Sequence, residues 1–358
     1  MMRLFYHAII ILMVAGISEF LPGQSNTKEE NLHDFLYNEM GYSEKDYKKV
    51  LEGEIVTRVV HPNHKSEVIV ASVGRFPVPR SFFLENYGIH IRPIEVYSVT
   101  KLGLFSNPPV LEDVAEFELS EKDLEALKDC KLGDCNFKIT QPIHARIQEV
   151  DWSAPDYAQQ ANKIARIMII EYMRTYMDGG NAELVDYYDQ KYTLNPMTEF
   201  HELLKQSPYL FKYQPKFYKY LEHYPEGKFE NVENYFFWTQ EDMGTNHLVS
   251  SLNHVMVYTP QDPTRVDVIA NKQIYASHYF EASLGITGFI DVSEDGSPGF
   301  YLLYVNRSRI DALRRGGFIS GIIRKKLQGG IKKLIDNRIK KIRETATYLY
   351  KVSKVEEN

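Results

Sequence analysis

The sequence predicts an α+β protein in which a curved antiparallel β-sheet grips a long C-terminal α-helix and carries a helical insertion. Three observations predict this fold class. Strand-like runs occur towards both ends of the 358-residue chain, and a helical pattern occupies the middle. Apolar residues then recur every three or four positions from Ile319 to Ile342. An antiparallel sheet buries one face, and a long amphipathic helix after the last strand is a natural cover for it.

The N-terminus has the pattern of a secretory signal peptide. Residues 1–25 read MMRLFYHAIIILMVAGISEFLPGQS, with a basic Arg3, an apolar run over 4–15 and small residues that offer cleavage sites. The apolar run is shorter than the roughly 20 residues that a membrane-spanning helix needs. We therefore expect a cleaved signal and an exported protein, periplasmic or extracellular.

The two cysteines, Cys130 and Cys135, stand in DCKLGDCNF. Export to an oxidising compartment favours a local disulfide, and the intervening residues read as a turn that closes a small loop. No further Cys or His flanks the pair, so we predict a structural disulfide and no metal site here.

Composition and charge narrow the class of partner. The chain is 44% hydrophobic and 25% charged, as expected for a folded globular protein. The net charge is −6, but the segment from Arg307 to Arg343 is basic and the rest is acidic. The basic face of the C-terminal helix predicts either a solvated surface or contact with an anionic membrane surface. Export and the acidic remainder argue against nucleic acid.

The first half of the chain divides into three predicted parts. A polar lead and a helix occupy 26–50, and the grip domain begins at 51 with a hairpin, GEIVTRVV and SEVIVASVGRFPV. A largely helical insertion is predicted over about 95–230. Within it SEKDLEALKDC begins a helix, with Ser120 as N-cap and Asp123 three residues on.

The longest predicted helix of the insertion is DYAQQANKIARIMIIEYMRTYMDGG, ended by Gly179 and Gly180. One of its faces is apolar and carries Ala161, Ile164, Ala165, Met168, Ile169 and Tyr172. After it come strand-like runs with turn-rich links. The grip domain is predicted to end at 345, with a tail over 346–358.

This order of elements resembles the helix-grip superfamily, which contains the START lipid-transfer domains and the polyketide cyclases. The matching pieces are the opening hairpin, the strands from Asn234 to Arg309 and the helix from about Gly317 to Thr345. The chain is also similar to exported bacterial proteins with a C-x4-C segment and a YASHYF strand. The superfamily resemblance implies a hydrophobic ligand held between the sheet and the C-terminal helix.

The stretch KQIYASHYFEASLG, residues 272–285, supplies the candidate site. Read as one strand, it places His278 on an apolar face and Glu281 on the opposite face, which separates the two. A second strand, YLLYVNRSR, places Tyr304 and Asn306 on one face and Arg307 on the other. The predicted ligand-binding residues are Ile274, Ala276, His278, Phe280, Tyr304, Asn306 and Arg307.

No motif in the chain specifies a reaction, a cofactor or a metal site. His247, His254 and Asp242 lie upstream of His278, but their spacing does not force them to converge. Three functions remain open. The protein binds a hydrophobic ligand such as a lipid or sterol, it is a cyclase- or hydrolase-type enzyme that uses His278, or it is an envelope interaction protein whose helical middle binds a partner.

Overall fold

The computed structural model describes residues 32–86, 99–227, 229–260, 267–294, 297–314 and 317–356. The predicted signal peptide, residues 1–25, lies outside the described residues. The fold class is confirmed, because an antiparallel sheet is combined with helices and with a long C-terminal helix packed on one of its faces.

The sheet has eight strands in the described chain, all paired antiparallel, in the order β1-β2-β8-β7-β6-β5-β4-β3. The opening hairpin therefore pairs with the last strand. The strands are β1 Val56–Val60, β2 Glu67–Phe76, β3 Val99–Leu104, β4 Val232–Glu241, β5 Val249–Tyr258, β6 Val268–Ala276, β7 Phe280–Glu294 and β8 Ser297–Ile310.

Most helices lie between β3 and β4, which is where the sequence predicts the insertion. A π-helical turn, Phe35–Glu39, precedes the first α-helix, and short 3₁₀ turns occur at Leu111–Val114 and Gly180–Glu183. The α-helices are α1 Glu44–Leu51, α2 Arg80–Asn86, α3 Glu121–Lys128, α4 Gln141–Ile147, α5 Tyr157–Gly179, α6 Pro196–Lys205, α7 Pro208–Tyr213, α8 Pro215–His223, α9 Asp311–Arg314 and α10 Gly317–Glu356.

The two faces of the sheet belong to two separate hydrophobic cores. The face that we call the insertion face packs against the helical insertion and includes Ala71, Leu252, Ala270, Leu284 and Val305. The face that we call the grip face packs against α10 and α2 and includes Val70, Val255, Ile269, Phe289 and Leu302. Because both faces are covered, buried apolar residues occupy both sides of the central strands.

Helix α10 covers the grip face with the middle of its length. Ile335, Ile339, Ile342 and Ala346 are buried there, which confirms the predicted three- and four-residue spacing. Nearer its start the helix is less covered, and Ile322 is 57% exposed. The lysines of the outer surface, among them Lys325, Lys326, Lys332 and Lys333, are exposed.

The segment 272–285 is not one strand, so the prediction of a continuous strand is wrong. It consists of the end of β6, a turn at 277–279 and the start of β7, with Lys272 opposite Leu284. Tyr279 adopts φ 62°, and this left-handed conformation of a residue other than glycine reverses the chain. Hydrogen bonds from distant segments hold the turn, among them Ser250 N to Ser277 Oγ at 2.9 Å and Lys138 N to Ser277 O at 2.8 Å. Tertiary contacts therefore form a turn that the local sequence does not signal.

The disulfide is confirmed: Cys130 and Cys135 are bonded, with Cα atoms 4.7 Å apart. It closes a short loop directly after α3. No helix within the described ranges has an apolar stretch long enough to cross a bilayer.

Removing this disulfide is expected to lower the free energy of unfolding by about 2 kcal/mol, because a short closed loop restricts the unfolded chain. The measurement is urea unfolding of the double variant Cys130→Ser/Cys135→Ser beside the oxidised parent. Wild type unfolded with a reducing agent should match the variant. An unchanged urea midpoint in both would contradict a stabilising role.

Candidate functional site

An apolar cavity of about 250 Å³ lies between the insertion face of the sheet and helices α4 and α5. Residues 250–252 of β5 and Tyr275 of β6 contribute on the sheet side. Ile143 of α4 contributes from the other side, together with the apolar face of α5. The cavity thus opens in the insertion layer, on the opposite face of the sheet from α10.

Helix α5 supplies the largest share of the cavity lining through its apolar face. The helix ends at Gly179, as predicted, and is followed by Gly180 at φ 64°. Its cavity-facing side chains are only half-buried, unlike Ala161 and Met173, which are buried on the same helix. These half-buried lining residues are Ile164, Ala165, Met168, Ile169 and Tyr172. Apolar side chains that face inward and keep partial exposure are typical of the wall of an open cavity.

Three polar side chains in the lining already form hydrogen bonds with backbone atoms of the protein. Tyr172 Oη donates to Ile274 O at 3.1 Å, and Tyr275 Oη donates to Lys138 O at 2.8 Å. Burial raises the pKa of both phenols above the ordinary value, so they stay protonated donors. Thr140 Oγ1 accepts from Ile143 N at 3.2 Å and caps α4. A ligand therefore meets a mainly apolar surface.

The predicted ligand-binding residues do not meet in one cavity. Ile274 packs in the insertion-face core, whereas Ala276 and Phe280 pack in the grip-face core. The register of β5 and β6 shifts between Leu252 and Asn253, which gives β6 one extra residue and puts Ile274 and Ala276 on opposite faces. Tyr304 packs against the grip-face core.

Asn306 and Arg307 point to opposite faces of β8, as the alternation predicts. Asn306 Oδ1 accepts from Ser308 Oγ at 2.9 Å. Arg307 lies on the insertion face, where its Nε donates to Glu67 Oε1 at 2.6 Å and its guanidinium also donates to the backbone carbonyl of Gln206. Arg307 is 5% exposed and Glu67 is 0% exposed, so this is a buried ion pair between β2 and β8. The pair leaves Arg307 engaged with protein groups rather than aimed at the cavity.

His278 has a carboxylate partner from a distant part of the chain. It lies in the β6–β7 turn, and its Nε2 is 2.8 Å from Asp123 Oδ1 in α3, 155 residues away in sequence. Asp123 Oδ2 accepts from Ser120 N at 3.2 Å, while Ser120 Oγ accepts from Asp123 N, which confirms the predicted N-cap. The Phe137 and His278 rings form a T-shaped contact with centroids 5.2 Å apart. Glu281 instead binds Arg314 at 2.5 Å, so His278 and Glu281 are separated, as predicted.

His247 joins this pair from the loop before β5. Its ring stacks on the His278 ring with centroids 4.4 Å apart, and its Nδ1 is 3.5 Å from Asp123 Oδ1. One ligand-capable atom from each of the three residues lies within 4.8 Å of the other two. The spacing in the sequence did not predict this cluster; folding brings His247 to His278 and Asp123.

His254 and Lys272 form a separate buried polar pair on the insertion face. They are directly opposite each other on β5 and β6. His254 bonds Tyr176 Oη through Nδ1 at 3.0 Å and Asn234 Oδ1 through Nε2 at 2.8 Å. Lys272 is 1% exposed, donates to Asn181 Oδ1 and lies 4.1 Å from the centre of the Phe200 ring. Burial lowers the pKa of both groups well below the ordinary values.

No protein-family model matches the chain, and no curated protein matches it either. The resemblance to the helix-grip superfamily therefore stays a prediction at the level of the family. The apolar periodicity of the sequence identified the α5 face that lines the cavity. For Asp123, the sequence indicated only a role at the N-cap of α3. The signal that it lacked is spatial, because Asp123, His247 and His278 come from three separate segments.

Proposed function

We propose that the protein is an exported carrier or receptor for a small hydrophobic ligand, bound in the cavity between the insertion face and helices α4 and α5. The observation that supports this most strongly is the lining of α5, where apolar side chains stay half-buried beside an open space of about 250 Å³. Export is part of the proposal and rests on the N-terminal pattern and on the disulfide.

The volume limits the ligand class. An engineered apolar cavity of roughly 150 Å³ accepts benzene, and pockets for drug-sized ligands are roughly 300–1,000 Å³. A cavity of about 250 Å³ suits an aromatic ring or a short acyl chain better than an enclosed sterol. Among ligands predicted from the sequence, the proposal therefore favours a single-chain lipid whose polar end remains at the mouth.

Ala165→Trp is expected to weaken ligand binding at least about 10-fold, because the indole fills space that the ligand needs. The matched control is Lys163→Trp, which adds the same ring to an exposed position of the same helix. The measurement is fluorescence titration with 8-anilinonaphthalene-1-sulfonate, followed by its displacement with straight-chain fatty acids of increasing length. Far-ultraviolet circular dichroism verifies that both variants are folded.

The proposal fails if fatty acids and aromatic probes do not bind the wild-type protein, or if both tryptophan variants bind equally well. An affinity that rises to a medium chain length and then falls would support a cavity of limited depth. Binding that rises without limit with chain length would indicate a surface site instead.

The enzyme hypothesis has a weaker basis in the geometry. His278 does have the acidic partner that it would need, but it is 4% exposed and Asp123 is 0% exposed. Neither residue lines the apolar cavity. The basic surface of α10 lies across the sheet from the cavity, so membrane contact by this helix stays a prediction separate from the proposed function.

A further inference from the structure

We propose that Asp123, His247 and His278 form a binding site for a divalent transition metal, with Zn²⁺ as the best-fitting ion. The nearest donor atoms are Asp123 Oδ1, His247 Nδ1 and His278 Nε2. Two imidazole nitrogens and one carboxylate oxygen are a donor set that suits Zn²⁺ and other first-row divalent ions. This inference is independent of the hydrophobic ligand.

The distances between the donor atoms fit such an ion. Ligands about 2.0–2.1 Å from a tetrahedral centre lie about 3.3 Å from one another. The distance from His278 Nε2 to Asp123 Oδ1 is 2.8 Å, and that from His247 Nδ1 to the same oxygen is 3.5 Å. These two distances bracket the tetrahedral value. The His247 and His278 rings lie 19° from parallel, so binding requires the imidazoles to rotate until both nitrogen lone pairs point at one ion.

The state of His247 distinguishes this cluster from an ordinary hydrogen-bonded pair. The Asp123–His278 hydrogen bond satisfies those two atoms on its own. His247 Nδ1 is buried and has no hydrogen-bond partner among the described residues. A buried polar atom without a partner is costly, by about 1–3 kcal/mol. Asp123 Oδ1 lies 3.5 Å from this atom, and coordination of a metal ion supplies a closer partner.

The surroundings hold the donors rigidly and leave one side accessible. Asp123 is held by the Ser120 cap at 3.2 Å, and the backbone of His247 donates to Tyr279 Oη at 3.2 Å. His247 borders a polar pocket that also includes Lys122, Glu125, Asp129, Asn136 and Asn246. Three protein ligands with an accessible fourth position are the arrangement of zinc sites that bind water or a substrate group.

The test is titration of the mature protein, stripped of metal and lacking any histidine tag, with Zn²⁺ by calorimetry and with Co²⁺ by visible absorption. We expect one equivalent to bind, with a tetrahedral Co²⁺ spectrum. His247→Ala should weaken binding about 100-fold or more, since losing a direct ligand costs at least as much as losing an outer-shell partner. His247 takes no part in the Asp123–His278 bond, so this variant retains that contact between α3 and the turn.

The control is His223→Ala, which removes an imidazole whose side chain is 59% exposed and distant in sequence from the cluster. This variant should bind Zn²⁺ and Co²⁺ with the same affinity as the wild type. A second ligand variant, Asp123→Asn, should also lose binding and keep a polar side chain at the cap. The proposal is overturned if the wild type shows no saturable binding of either ion, or if His247→Ala and His223→Ala bind equally.

Discussion

Replacing Arg307 with methionine is expected to lower the free energy of unfolding by about 3–5 kcal/mol, because it leaves the Glu67 carboxylate buried without its cation. Glu67 is 0% exposed, and the ion pair with Arg307 joins β2 to β8 through a contact of 2.6 Å. Arg307 also donates to the backbone carbonyl of Gln206, so the variant loses a bond to the helical insertion as well. Urea unfolding measures the change.

Two further variants distinguish the effect of breaking the buried ion pair from the effect of removing any positive charge. Lys205→Met removes a lysine that is 65% exposed and pairs with Glu202, so it should leave the urea midpoint almost unchanged. The double variant Glu67→Leu/Arg307→Met should recover most of the loss, because neither charge then remains alone in the interior. A loss below about 1 kcal/mol in Arg307→Met would mean that water reaches Glu67 in the native state.

Lys272→Met is expected to make stability less dependent on pH. Burial lowers the pKa of Lys272 well below 10.5 in the folded protein, whereas the unfolded chain titrates near 10.5. Between these two values the unfolded state binds one more proton, so the wild type becomes more stable as pH rises. The stability of the wild type relative to the variant should therefore increase by about 1.4 kcal/mol per pH unit within that window.

The measurement is urea unfolding of both proteins at pH 7, 8 and 9. The variant leaves Asn181 Oδ1 without the lysine donor, which shifts its stability by a constant amount but does not change the slope. For Lys163→Met, at an exposed position of α5, the plot of unfolding free energy against pH should be parallel to that of the wild type. Parallel curves for Lys272→Met would show that the buried amine keeps its proton at these pH values.

His254 adds a second contribution at lower pH. Burial lowers the pKa of His254 well below 6.5, so the folded state resists a proton that the unfolded chain accepts. This contribution acts below pH 6.5, so the unfolding series at pH 7, 8 and 9 isolates the contribution of Lys272. Burial of His254 and Lys272 therefore lowers the stability of the folded protein as pH falls.

The periodic patterns of the sequence determined the parts of the fold that depend on local spacing. The stripe of α10 placed Ile335, Ile339 and Ile342 on one face, and the alternation of β8 separated Asn306 from Arg307. The Ser120 cap and the Cys130–Cys135 disulfide depend on residues three and five positions apart, so they were also predictable.

The alternation of side chains within each single strand did not predict the candidate sites. The extra residue in β6 arises from its register against β5, and it puts Ala276 on the face opposite Ile274. Phe280 lies beyond the turn, where a second register shift, in β7 against β8, separates it from Ala282. The turn at 277–279 depends on contacts from Ser250 and Lys138, which lie far away in sequence. Local alternation carries no information about either contact.

By itself, the sequence determined the α+β class, the C-terminal helix, the apolar face of α5 and the disulfide, because each follows from a repeat or a short spacing. Only the tertiary structure decided that the cavity lies on the insertion face and that Asp123, His247 and His278 meet. Both features depend on how segments up to 155 residues apart pack together, and the packing of distant segments is not encoded in any local period.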